Sequence, residues 1–116
     1  METASANTLV IRKNEGSNEH IKLDYVAVKN AAMTLRAINH KLRQQIVKLL
    51  EENKRMNVTD IYVKLRLEQS VASNQLAILR RAKIVSTERM GKEIFYSLNY
   101  THIEQVAAFV NKLVSK

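Results

Sequence analysis

The chain has 116 residues, no cysteine, and 19 Lys and Arg against 11 Asp and Glu, a net charge of +8. That length allows one domain with one sizeable core. The missing cysteines exclude disulfides, thiolate metal sites, iron–sulfur clusters and thiol-based catalysis or sensing, and no apolar run approaches the length needed to cross a bilayer.

The basic balance attracts polyanions. Nucleic acid is the first candidate partner and an anionic membrane surface the second, although excess lysine also serves plain solubility. The stretch from Met1 to Asn7 lacks the charged and apolar regions of a secretory signal, so a cytoplasmic location is expected.

Residues 1–19 are polar and include Gly16, which predicts a mobile arm ahead of one domain over 20–116. Leu9-Val10-Ile11 has the composition of a short strand but no evident partner. From Asp24, a plausible N-cap, Val28, Ala32, Leu35 and Ile38 recur at helical spacing and predict a first helix. A second is predicted from about His40, with Leu42, Ile46, Leu49 and Leu50 on one stripe and Asn39 or His40 as its cap. A third runs from about Val58 to Leu65, with Asn57 or Thr59 as start signal and Val58, Ile61, Tyr62 and Leu65 inward. After a break at Arg66-Leu67-Glu68, a fourth runs from about Gln69 to Ala82. Its inward stripe is Ala72, Leu76 and Leu79.

The period then changes from helical to extended. Val85 to Arg89 and Glu93 to Leu98 are rich in β-formers, and Gly91 between them can take the positive φ of a tight hairpin. A last helix is predicted from about Thr101, with Ile103, Val106, Ala107, Val110 and Leu113 as its stripe. The order α-α-α-α-β-β-α is mainly helical with a small β-hairpin. A lone hairpin is marginal in water, so it must pack on the helices as a wing.

Two short helices joined by a tight turn, the second polar on one face, form a helix–turn–helix pattern. A helix fits the major groove, and short polar side chains let its axis approach the base edges. Gln69, Ser70, Ser73 and Asn74 fill that role: the serines are short, and each amide presents a donor and an acceptor, the pairing that suits adenine. Arg80 and Arg81 at the far end, and Arg89 and Lys92 beside the hairpin tip, can meet phosphates. The same residues also fit an ordinary solvated face and a charged edge strand.

Leu35 to Ile38, Leu42 to Leu50, the run Gln69 to Leu79 and the pair Ala82 to Val85 and Arg89 to Asn99 together resemble the ArsR-type (arsenic-repressor) winged helix–turn–helix regulators. The resemblance covers roughly Leu35 to Asn99. It implies a homodimer joined through the first and last helices, here by Val28, Leu35, Ile103, Val106, Val110 and Leu113, with one recognition helix on each half of an inverted repeat. It also implies a sequence-specific regulator of transcription acting on double-stranded DNA, here read as a repressor; no catalytic constellation stands out among the residues, so no enzyme activity is expected. Asn74 stands where many relatives have histidine, so the preferred operator does not carry over. The family's thiolate motif falls at Met56 to Asp60, where Asn57 and Thr59 replace the cysteines. Its second metal site is reduced to His102 and Glu104. A weak cross-subunit zinc site there is conceivable, but a solvated or capping role for His102 is simpler, and no metal or cofactor is expected.

Two other classes stay open: a winged-helix module that has lost specific DNA binding and docks a protein, and a general nucleic-acid binder. Neither the effector nor the regulated genes are legible from the residues.

Overall fold

The computed structural model describes residues 7–115. The chain divides into two compact units between Leu35 and Arg36.

In the first unit, β1 (Thr8–Arg12) pairs antiparallel with β2 (His20–Asp24), in the register Leu9↔Leu23 and Ile11↔Ile21. This is the partner that Leu9-Val10-Ile11 lacks when read alone. The expected arm over 1–19 is therefore redrawn: residues 8–24 form one hairpin, and residues 1–6 lie outside the described chain. Alternation along the strands gathers Leu9, Ile11, Ile21 and Leu23 on one face, which remains exposed. Gly16 takes a positive φ of 78° in the connecting bend. Asp24 ends β2 and caps α1 (Tyr25–Ile38), its Oδ1 accepting the Val26 N–H at 2.9 Å. Of the α1 stripe, Val28 and Ala32 are exposed, Leu35 and Ile38 are partly buried, and Ala37 is the residue it buries.

The second unit contains α2 (Lys41–Asn53), β3 (Met56–Asn57), α3 (Val58–Leu65), α4 (Gln69–Arg81), β4 (Val85–Met90), β5 (Glu93–Leu98) and α5 (Tyr100–Val114). The helical stripes converge on one core. From α2 come Ile46, Leu49 and Leu50, from α3 Ile61, and from α4 Ala72, Leu76 and Leu79. Burying each such leucine or isoleucine contributes about 1.5–3 kcal/mol. Ile84, Val85 and Leu98 close the core from the sheet side.

The sheet has three strands in the order β3-β5-β4 rather than the two expected, because Met56 pairs with Tyr96 and Asn57 with Phe95. Arg55, just before β3, reaches across the sheet to a cross-strand pair of β5 and β4: its guanidinium lies 4.9 Å from the Phe95 ring centroid and 3.8 Å from Glu88. At the hairpin tip Met90 faces Glu93, so Gly91 and Lys92 form a two-residue turn with Gly91 at φ 64°.

Asn57 ties the sheet edge to the helix that follows. Its Oδ1 accepts the Asp60 N–H at 2.8 Å, capping α3, and its Nδ2 donates to Glu93 at 3.1 Å. The position where the resemblance places a thiolate thus carries a structural amide. Asn57→Ala is expected to cost about 1 kcal/mol of stability in urea unfolding. Asn57→Ser, which keeps a capping oxygen, should lose less; equal losses would assign the effect to the Glu93 bond.

Candidate nucleic-acid interface

α3 and α4 are joined by Arg66, Leu67 and Glu68. Arg66 adopts the left-handed conformation at φ 56°, and the Leu67 N–H reaches back to the Tyr62 carbonyl at 2.9 Å. This closure stops α3 and turns the chain into α4. At its other end α4 finishes the same way. Lys83 is left-handed at φ 62°, its N–H donates to the Arg80 carbonyl at 2.9 Å, and the Ile84 N–H donates to Leu79 at 3.0 Å. Leu79 and Ile84 are both buried beneath this Schellman closure, which sends the chain directly into β4.

Burial of Ala72, Leu76 and Leu79 turns the opposite side of α4 outward. Gln69, Ser70, Ser73 and Asn74 are all exposed, as are Ala77, Arg80 and Arg81 further along the helix. The structure therefore presents all four small polar side chains on one face. Arg89 and Lys92 are exposed at the wing tip, where the Arg89 Nε donates to the Gly91 carbonyl at 3.2 Å. Among the described residues, Arg80, Arg81, Arg89 and Lys92 have no carboxylate partner, so no described carboxylate neutralises their charge.

A shallow recess of about 380 Å³ joins helix and wing, lined by Ser73, Ala77, Arg80 and Arg81 from α4 and Tyr96 from β5. Tyr96 was not singled out from the sequence as part of this surface. Its place in an alternating strand signals only a side of the sheet, and the recess exists because α4 packs beside β4, with Tyr96 reaching it from the central strand β5.

A second unforeseen residue is Arg43 on α2. Its Nε donates to the Ala37 carbonyl at 2.6 Å, one terminal nitrogen donates to the Arg36 carbonyl at 3.1 Å, and the other donates to Gln75 Oε1 on α4 at 2.8 Å. One planar side chain thus binds the end of α1 and the recognition-like helix together. Arg43 positions α4; it is not itself on the exposed polar face.

The expected start of α5 is corrected in one detail. Asn99, not His102, is the cap: Asn99 Oδ1 accepts the His102 backbone N–H at 3.2 Å, while His102 Nε2 is buried with no partner among the described residues. Among the described residues no group of three His, Asp or Glu side chains is placed to hold a metal ion, and no helix is long and apolar enough to cross a membrane.

Residues 40–87 match the family described as bacterial regulatory protein, arsR family. The chain is 34% identical over 92 residues to the transcriptional repressor PagR of Bacillus anthracis, covering 79% of this chain and 92% of PagR. The chain belongs to the ArsR family. It is also 38% identical over 93 residues to the HTH-type transcriptional regulator NmtR of Mycobacterium tuberculosis, covering 79% of this chain and 77% of that one. The crystal structure of PagR superposes with a TM-score of 0.60 over 76% of this chain and 100% of the PagR chain. HlyU of Vibrio cholerae does so with a TM-score of 0.59 at 29% identity, over 78% of this chain and 97% of that one. These relatives share the winged helix–turn–helix fold and are transcriptional regulators, not enzymes. An ArsR-family chain with this outward polar helix and cationic wing is a DNA-binding transcriptional regulator.

Arg43→Met would leave Gln75 and two carbonyls without their donor. It is expected to lower stability by about 1.5–3 kcal/mol, the range for bonds to a charged group. Thermal unfolding of the two proteins side by side measures this, and an unchanged transition would remove Arg43 as the brace of α4.

Proposed function

We propose that the protein is a homodimeric repressor that binds an inverted-repeat operator in the cytoplasm, with Gln69, Ser70, Ser73 and Asn74 reading bases and Arg80, Arg81, Arg89 and Lys92 holding phosphates. The observation that carries this reading is the exposed polar face of α4, flanked at its end and at the wing by cations that have no carboxylate partner among the described residues. A side chain that reads a base must be free of its own fold, and a phosphate contact needs an unneutralised charge.

The dimer rests on a different observation. α5 has fifteen residues and buries none of them within the chain. Along its apolar stripe, Ile103, Val106 and Val110 are only partly covered and Leu113 is 65% exposed; on α1, Val28 is 48% exposed. A stripe of this kind is stabilised by covering it, and a second copy offers the same stripe in return. Two α4 helices set about one DNA turn apart, roughly 34 Å, would then meet successive major grooves. PagR is named a transcriptional repressor and HlyU a transcriptional activator; the sign proposed follows PagR, which is matched over 92% of its length.

Asn74→Ala should cost about 1–3 kcal/mol on the preferred duplex and relax sequence preference. Selection of fragments from random DNA, followed by titration of the selected and scrambled duplexes, measures both; an unchanged preference would remove Asn74 from base reading. Arg89→Ala should weaken every duplex alike and flatten the salt dependence. The unmodified dimer, neutralising ~8 phosphates, should show a log–log slope near −7. No duplex binding at low salt would instead favour a protein-docking module. In sedimentation at micromolar concentration the native chain should run as a dimer and Val110→Asp as a monomer. A native chain that stays monomeric would sink the two-half-site arrangement.

A further inference from the structure

A pocket of about 410 Å³ opens on the second unit, away from the polar face of α4. Its walls are Ile38, Val47, Ile84, Leu98, Tyr100 and Ile103, so its lining is almost wholly carbon. That volume falls in the range of small-molecule sites, ~300–1,000 Å³. Gln44, whose amide donates to the Ile38 carbonyl at 3.0 Å, and three charged residues, Arg43, Lys48 and Glu51, also line it. Lys48 Nζ and Glu51 Oε1 are 2.6 Å apart, and that hydrogen bond holds the Glu51 carboxyl below the usual carboxylate range and raises Lys48 above its own. The carboxylate among the three is therefore already answered by a lysine. The Arg43 charge is not: its acceptors are two backbone carbonyls and the neutral amide of Gln75.

We infer that this pocket is a ligand site for a small carboxylic acid with an apolar body, and that the ligand reports to the recognition helix through Arg43 and Gln75. The apolar body gains by covering the carbon walls. Among the pocket's charges, the one left without an opposite charge selects an anion over a neutral or cationic end group. A carboxylate oxygen is a stronger acceptor of a charge-assisted N–H bond than the Gln75 amide. It therefore competes with Gln75 for the same nitrogen, and its arrival releases the bond that braces α4. The regulatory half of this inference rests on the DNA-binding reading above; the ligand half does not.

Octanoate and n-octanol serve as probes, alike in chain and different in charge. Each is titrated into the full-length protein while backbone and side-chain amides are followed by nuclear magnetic resonance. Octanoate should give saturable shifts at Val47, Ile84, Leu98 and Ile103 and at the Gln75 side-chain amide, and octanol should bind about tenfold more weakly. Val47→Trp, which fills the pocket, should abolish the shifts. If that variant does not fold, Val47→Met should weaken octanoate in its place. Octanoate should also weaken binding of a selected duplex about fivefold in the native protein and less than about twofold in Gln75→Ala. No saturable shift, shifts elsewhere, or equal binding of the two probes would overturn the site. Shifts at Val47, Ile84 and Leu98, which lie outside the proposed dimer stripe, that follow protein concentration without any probe would overturn it too, in favour of a second copy covering the pocket. Octanoate binding with an unaltered duplex affinity would overturn the coupling. A protein that takes octanoate at these residues and binds no duplex under any condition would support the site and refute the DNA reading alone.

Discussion

Burial of Ala72, Leu76 and Leu79 sets the rotation of α4 about its own axis, and every functional statement about this surface depends on that rotation. A helix offers one stripe to its core and the opposite stripe to its surroundings. With these three side chains sealed, Gln69, Ser70, Ser73 and Asn74 have nowhere to point but outward. Turning the helix by a single residue would bring polar side chains into the core without partners, at about 1–3 kcal/mol for each unsatisfied group. The apolar core thus specifies the polar surface.

The position of α4 along and across the fold is set by directional contacts. The left-handed residues Arg66 and Lys83 end α3 and α4 respectively, so the helix has a defined entry and a defined exit. Arg43 adds a lateral brace to α2 and the end of α1. The wing is held independently, by the third strand and by Asn57, which bonds across to Glu93. Helix and wing share the core through Leu76, Leu79, Val85 and Leu98, and on the outer surface they border the recess around Tyr96.

The helices were legible because each repeats its apolar residues over several turns. The span Val58–Leu65, the inward stripe of α4 and the wing with its tip at Gly91 follow from periodicity and turn chemistry alone. The order and spacing of those pieces also carried the family. What escaped was short or distant. β3 is two residues long, too few for any period to register, and it exists only because β5 lies alongside. The β1–β2 pairing spans the connection 13–19, longer than the two-residue hairpin that Gly16-Ser17 would signal, so neither strand announces the other. Arg43 and Gln75 are 32 residues apart, and a bond between them is set by how α2 crosses α4. Among the site residues, exposure was readable from helical spacing, whereas the recess at Tyr96 needed the sheet to be placed.

Three helix ends in this chain are closed by Lys54, Arg66 and Lys83 with positive φ, a conformation that glycine adopts without strain and that costs a side-chain-bearing residue roughly 1–2 kcal/mol. All three are exposed cations sitting against the negative end of a helix dipole, which recovers part of that cost. Glycine in their place would relax the backbone and remove three of the 19 positive side chains. Such a chain would fold with less strain yet drift toward a polyanion more slowly, since the long-range field that guides a diffusional encounter scales with the charge retained. Its punctuation marks are also part of its antenna.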